Sequence, residues 1–507
     1  MPVRPLSLAF RAALIAALAT LFYARTIDFA FAYDDDLVVL RNPAVTGHAW
    51  GAIATAPYHQ GPDVRTPSGL YRPLTLWSLA ANHVLSADRP WSYHLANVLL
   101  HAAAAALVLV CGEAVGLSAL AATAGAAVFA IHPVHVEAVA NVSGRAELLA
   151  TLGFLGSFLA FARCRNPAGR VTVPGQFATC GLGAAALAAK ENAITFVAVA
   201  AAWEALRPVA PGSPGRRRVA PLNLAPSLVL AGSYLALRLA VLGGLGLAPG
   251  AVTPIENPVV GLAPLPRAWT VLATFGRAVS LLVTPVRLAP DYGFAEIVPV
   301  RSLLDPGAAV GLLFFLACLA GIAIAWRARP ELAFVGVLGL ATWSIVSNAF
   351  VTIGTILGDR LLYLPSVAVC LLAGAAIAAA VRRFRWRGAG VPVAAAGLLL
   401  AARAWTYTTV WSSDGPLFAH AVAATPDSIR ALNNRAQFLA EHGELDPAEA
   451  LLDRALALAP DVVPVLLNRG AIALARGDGA TAGSFARRVL ALDPGNPDAQ
   501  AQLARIR

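Results

Sequence analysis

Long apolar runs separated by short basic or polar connections make up most of the chain as far as residue 410. Roughly 20 apolar residues in a helix cross the hydrocarbon of a bilayer, and helix is the form that satisfies its own backbone there. The first run lies near 6–25. Others near 93–112, 118–131, 138–162, 173–189, 192–207, 221–242, 307–325, 331–352, 361–381 and 389–408 bring the expected number of crossings to eleven. Two stretches depart from this pattern. Residues 26–91 are polar, with scattered Pro and aromatic residues and an amphipathic stretch at 73–87, and form a large loop. Residues 267–289 are apolar enough to span, yet Arg267, Arg277 and Arg287 are spaced through them. One extra crossing would invert everything downstream, so this stretch reads as an interfacial or re-entrant helix, and only an even number of crossings fits between 243 and 306.

Beyond residue 410 the pattern becomes that of short amphipathic helices with an internal period. Pro426, Pro460 and Pro494 are spaced 34 apart, and the same interval relates Asn434 to Asn468, Arg435 to Arg469 and Gly443 to Gly477. This is the period of tetratricopeptide repeats, helix pairs that stack through small residues. Ala436, Ala448 and Ala455 occupy those positions in the first repeat; Gly470, Ala482 and Val489 do so in the second. The expected architecture is all-α: a polytopic membrane domain over 1–410 with its loop at 26–91, then repeats at about 427–460 and 461–494 within a domain 427–507. Two repeats and a stub at 495–507 are fewer than such arrays need alone, so the first helix is expected to pack on the membrane domain or on a segment near Trp405–His420. Stacked pairs build a groove suited to a protein partner.

Composition excludes the soluble alternative. The chain is 58% hydrophobic and 13% charged, against about a quarter charged in soluble domains. Its net charge of +10 is almost entirely arginine; Lys190 is the single lysine and Met1 the single methionine, the usage of a GC-rich bacterial genome. The arginines cluster between apolar runs, which is a topology signal and not a nucleic-acid surface. Arg4 and Arg11 put the N-terminus in the cytoplasm, and the clusters at Arg163–Arg170, Arg216–Arg218, Arg327–Arg329 and Arg382–Arg387 all fall on that side by counting. The 26–91 loop and the repeats then lie outside, in the periplasm of a bacterial inner-membrane protein. Cys111, Cys164, Cys180, Cys318 and Cys370 contain no CxxC pair and imply neither a disulfide framework nor a zinc site. The first run lacks an obvious small-residue cleavage site and reads as an uncleaved membrane helix.

Candidate chemistry gathers at the expected outer ends of the helices. Asp34, Asp35 and Asp36 follow Phe29, Phe31 and Tyr33 at the membrane exit, where carboxylates suit proton abstraction or a divalent cation. His94, Asn97 and His101 share one helix face, and His132, His135 and Glu137 cluster at a helix end. These polar groups either satisfy one another between packed helices or bind a ligand; they make no full zinc set. Lys190 and Glu191 interrupt an apolar stretch, and Asp359, Arg360 and Tyr363 stand at another helix end. Ionisable residues at such depth are functional candidates, with lysine or a bidentate arginine suited to a phosphate, against structural pairing or snorkelling.

Taken in order, these pieces resemble a known family. The run from Phe31 through Asp34 and Asp35 to Asn42 and Pro43 looks like the first loop of the transmembrane-and-tetratricopeptide (TMTC) O-mannosyltransferases and their bacterial relatives. Tyr71-Arg72-Pro73, Trp91 to His101, His132 to Glu137, Ser143 to Glu147, Lys190-Glu191, Glu256-Asn257-Pro258, Pro290-Asp291-Tyr292 and Gly358 to Ser366 continue it over nearly the whole chain. The resemblance implies a GT-C fold and transfer of a sugar, such as mannose, from a polyprenyl-phosphate carrier to a hydroxyl acceptor on a protein. It aligns Asp34 and Asp35 with the family's acidic pair as catalytic residues. Asp36 falls where the family has an apolar residue and receives no role. Arg72, His94, His101, His132, His135, Glu137, Arg145, Lys190, Glu191, Asp291, Tyr292, Asp359, Arg360 and Tyr363 are the implied substrate-binding set. Two other classes stand beside this reading: a transporter or flippase of lipid-linked sugars, which predicts an internal membrane repeat that the sequence does not display, and a membrane scaffold presenting the repeats, which predicts scattered polar residues.

Overall fold

The computed structural model describes residues 6–60, 69–207, 216–244 and 252–506. Arg4 and the side chains of Arg216–Arg218, Arg385 and Arg387, on which part of the expected topology rests, lie outside the described residues. The chain is all-α, with no named strand among the described residues. Each of the eleven expected runs coincides with helix, and the helix ends meet in two layers. In one layer Arg11 pairs with Glu113 at 2.6 Å, Arg165 with Glu204 at 2.6 Å, and Asn223 with Glu204 at 3.0 Å. In the other, Asp35 meets the Ser143 amide at 2.8 Å, Arg72 meets Glu191 at 2.7 Å, Asn257 meets Asn348 at 2.8 Å, and Tyr292 meets Asp359 at 2.8 Å. The second layer holds the candidate chemistry and is called the site layer below.

Length and composition temper the count of eleven crossings. Among the described residues seven helices are long and apolar enough to cross a membrane, or eight if the bent pair Ala119–Ile131 and Pro133–Ala140 is one span. Val173–Ala189 and Pro330–Val346 have 17 residues each and Phe196–Leu206 has 11. The shortfall has a physical cause. The chain unwinds where it delivers polar groups to the site layer: Pro133 bends one run by 50°, and a short turn at Glu191–Thr195 separates two others.

The last membrane element resolves itself by geometry. Helical residues run without interruption over Tyr363–Thr408, which as one straight rod would reach roughly 70 Å. Yet the Tyr407 hydroxyl lies 3.2 Å from Asp359 Oδ2. The chain therefore reverses between the spans Asp359–Phe384 and Gly388–Ser412, at the arginine-rich segment where hydropathy placed a connection. Inside the bundle small residues let backbones approach, as membrane packing requires. A Cβ on Gly374 would collide with the Ala121 carbonyl and the Gly125 amide.

The stretch read as interfacial or re-entrant is one helix, Pro264–Val283. Near its start Arg267 bonds the Asn348 carbonyl at 2.7 Å; near its end the Leu282 carbonyl is 2.9 Å from His132 Nε2. Both partners belong to the site layer, so the helix lies along that layer and contains no re-entrant turn.

The C-terminal helices pair as Ile429–Glu441 with Leu445–Leu458, then Val463–Ala475 with Gly479–Leu492, followed by Pro497–Ile506. Gly443 and Gly477, one period apart, both take a left-handed φ (82° and 78°) at equivalent turns. Ala436, Ala448, Ala455, Ala482 and Val489 are fully buried between helices. The preceding helix, Asp414–Ala424, packs on Ile429–Glu441, and Ile255 and Phe294 from the membrane part pack into the same apolar cluster.

Candidate active site

The acidic motif is shaped by a single kink. Tyr33 has φ 61°, a left-handed conformation costly for a bulky residue. Its amide is held by Asp414 Oδ1 at 2.8 Å, while the Ala30 amide donates to the Ser412 carbonyl at 3.1 Å. The kink sends the two following carboxylates different ways. Asp35 is fully buried and accepts from the amides of Ser143 (2.8 Å), Ala32 (3.2 Å) and Val142 (3.2 Å). Burial pushes its carboxyl up to about 7 against the pull of those three donors. Asp34 keeps about a third of its side chain exposed and places Oδ2 at 3.1 Å from Arg360 Nη1. Asp36 pairs with Arg41, away from both.

Asp34 and Arg360 stand on the wall of a cavity of about 500 Å³ in the site layer. Among the described residues five cations line it, Arg72, Lys190, Arg238, Arg360 and Arg430, against three carboxylates, Asp34, Glu147 and Glu191. Apolar residues Ile345, Val346, Val351 and Ile353 form much of another side. The pairings cross distant segments. Arg72 makes a two-pronged contact with Glu191 (2.7 and 3.1 Å) and lies over the Tyr58 ring. The Lys190 ammonium is bonded to the buried Glu147. Arg360 also meets Glu137, through its amide at 2.8 Å and Nη1 at 3.3 Å. Tyr58 Oη and Asn192 Oδ1 are buried without a hydrogen-bond partner among the described residues, and both residues line the cavity; a ligand would complete such groups. Burial lowers the His59 imidazole to about 4, so this wall residue is neutral at pH 7.

Of the residues singled out from sequence, Asp34, Arg72, Lys190, Glu191 and Arg360 line the cavity. The others are held elsewhere. His101 bonds Tyr363 (2.7 Å) and the Ala130 carbonyl; His135 bonds Ser366 (2.7 Å) and the Phe129 carbonyl; His132 bonds the Leu282 carbonyl. His94 is buried beneath Phe29. Arg145 is sunk among Asn97, Asn82 and the Tyr93 carbonyl. Apart from His94, whose ring nitrogens have no hydrogen-bond partner among the described residues, these groups are satisfied between helices, the structural one of the two readings open for histidines at that spacing. Asp359 is bonded by Tyr292 and Tyr407, and Glu137 supports Arg360 from behind. Arg72 pairs with Glu191 and not with a carboxylate of the acidic motif. Among the described residues no group of three or more His, Cys, Asp or Glu is placed to hold a metal ion, and the Asp34 and Asp35 carboxylates diverge. Sequence reasoning passed over Tyr58, His59, Arg238 and Arg430. Arg238, a lone charge in an apolar run, had a readable signal; Arg430 had none.

Fold and site together define a multi-pass membrane protein with a charged, partly apolar cavity at one end of its helices. The chain is similar to the protein O-mannosyl-transferases of the TMTC family. It is 28% identical over 475 residues to human TMTC1, covering 85% of this chain and 53% of that protein. It is 32% identical over 326 residues to Drosophila melanogaster Tmtc2 (62% and 34%) and 27% identical over 389 residues to human TMTC3 (72% and 42%). The chain thus spans about half or less of the length of these relatives. No family model matches it. Among solved structures, ArnT from Cupriavidus metallidurans bound to undecaprenyl phosphate overlays with a TM-score of 0.41 at 15% identity, covering 94% of this chain and 79% of that one. An overlay this loose carries no argument about the site.

Proposed function

We propose that the protein is a membrane glycosyltransferase that moves a sugar, such as mannose, from a polyprenyl phosphate to the hydroxyl of a protein acceptor. The observation that carries this reading is the Asp34–Arg360 pair on the wall of a cavity that is cationic on one side and apolar on another. Its similarity to named O-mannosyl-transferases supports the same class. In the reaction, the acceptor oxygen attacks the sugar's anomeric carbon. The bond from that carbon to the phosphate oxygen breaks, polyprenyl phosphate leaves, and the hydroxyl proton passes to Asp34. One displacement inverts the anomeric centre. Arg360, with Arg72 or Lys190, meets the charge on the departing phosphate, so catalysis is chiefly base placement and electrostatic stabilisation. Apolar residues at 345–353 suit the first units of the lipid. We place the site on the periplasmic side of a bacterial inner membrane, and the C-terminal helix pairs, read as tetratricopeptide repeats over 427–507, on the same side.

The test is transfer of radiolabelled sugar from polyprenyl-phosphate-mannose, and from other polyprenyl-phosphate sugars in parallel, to a Ser/Thr peptide by purified protein. Asp34→Asn keeps size and removes the base. It should lower turnover by about 100-fold or more while donor affinity stays nearly constant, the mark of an interaction made in the transition state. Full turnover in Asp34→Asn removes the acid from the mechanism, whereas no transfer by the parent from any donor brings the scaffold reading forward.

A further inference from the structure

One cation on the cavity wall comes from beyond the last membrane helix. Arg430 belongs to Ile429–Glu441, the first helix of the C-terminal pairs, beyond the last span at Gly388–Ser412. It reaches the wall beside the acidic motif, where Tyr33 lies within the electrostatic reach of Arg430, Asp34, Asp291 and Arg360. Its carboxylate partners are held loosely, Asp291 Oδ1 at 3.4 Å and Glu256 Oε1 at 3.6 Å. Charge-assisted bonds close to about 2.7–2.9 Å when fully made. Asp291 does not depend on the arginine, since Ser428 Oγ (3.0 Å) and the Gly293 amide (3.0 Å) also bond it.

We propose that Arg430 forms the acceptor side of the site and recognises a carboxylate next to the acceptor hydroxyl, so that the substrate class is a Ser- or Thr-bearing peptide with an acidic neighbour. This rests on the transferase reading above and deepens it. Three observations favour the acceptor over the carrier lipid. Arg430 enters from the part of the chain outside the bundle, the direction from which a soluble acceptor approaches. It stands next to Tyr33 and Asp34, where the hydroxyl must lie to lose its proton. Lys190 and Arg238 arise from the membrane helices or the turns between them and are the cations a lipid phosphate would meet first, while Arg72, from the 26–91 loop, is closed on Glu191. A guanidinium with five donors and two long contacts can swing one edge to a third carboxylate without abandoning the first two.

The experiment uses the full chain in nanodiscs and two fluorescent Thr peptides, one with flanking Glu and one with Gln. At low salt the parent should bind the Glu peptide about tenfold more tightly. Arg430→Met should abolish that ratio, with affinity for polyprenyl phosphate unchanged within about twofold, and Arg430→Lys should keep part of it. Ser428→Ala, which loosens the same docking contact without touching the guanidinium, should retain the ratio. The inference is overturned if the parent shows no preference, if the preference survives in Arg430→Met, if Ser428→Ala loses it equally, or if Arg430→Met weakens polyprenyl phosphate as much as peptide. An Arg430-dependent preference in a protein that transfers no sugar would sink the transferase reading and the acceptor assignment with it, leaving Arg430 as a recognition residue for acidic peptides.

Discussion

At the scale of single residues, the site is a set of charges whose partners matter as much as their identity. Lys190 attracts notice as the single lysine and lines the cavity, yet its ammonium already neutralises Glu147, which is fully buried. Removing one member of a buried pair leaves the other charge uncompensated, at about 3–5 kcal/mol. Lys190→Met should therefore lower the unfolding midpoint in detergent well before it reports on donor binding, and Lys190→Met with Glu147→Gln should recover most of the loss. Equal melting of the single variant and the parent would mean that the pair is not formed. Arg360 is in the same position, because Glu137 behind it is almost fully buried. A phosphate assay on either single variant needs that control. The acidic motif illustrates the opposite case. Asp34 and Asp35 are adjacent and chemically identical, but one is enclosed by three amides and the other faces the cavity, so their substitutions should not resemble each other.

At the scale of elements, helices in this bundle approach through glycine and alanine, since lipid supplies no hydrophobic drive between them. Gly374 lies where a side chain would run into the backbone at Ala121 and Gly125, whereas a Cβ on Gly321 meets nothing within 4 Å. Gly374→Val is expected to sharply reduce the yield of monodisperse protein, with Gly321→Val near the parent; size-exclusion profiles of the two compare them directly. Equal profiles would mean that this helix crossing is not tightly packed. Breaks in the helices have a complementary purpose. The bend at Pro133, the turn at 191–195 and the left-handed Tyr33 each interrupt a regular run, and each sits beside a residue that lines or supports the cavity. Regular hydrogen bonding is given up where side chains must be aimed.

At the scale of the molecule, the C-terminal helices are fastened to the site. Asp414 holds the Tyr33 amide, Ser428 and Arg430 hold Asp291, and Ile255 and Phe294 fill the apolar seam. The loop at 26–91 and the C-terminal pairs must then lie on one side of the membrane. Exposed Ala87→Cys and Gly495→Cys should both react with an impermeant thiol reagent in intact cells, while native Cys164, exposed in the opposite layer, stays protected until the membrane is opened. Labelling of Cys164 together with only one of the introduced cysteines would break this arrangement.

The positions of the helices, the 34-residue period and most of the charged candidates were legible in the linear chain, because each depends on a local rule. Apolar length decides a span, spacing decides a helix face, and an ionisable residue in an apolar run signals itself wherever it folds. Crossing length was less legible, since hydropathy does not register the turns at Pro133 and Glu191 that shorten the runs. Partnership was not legible at all. Asp34 meets Arg360 across 326 residues, Lys190 meets Glu147 across 43, and Arg430 arrives at the cavity from a helix beyond the membrane part. Which charge neutralises which, which carboxylate is enclosed and which is free for chemistry, depend on distances of a few ångströms between segments remote in sequence. Only the packing of the helices sets those distances.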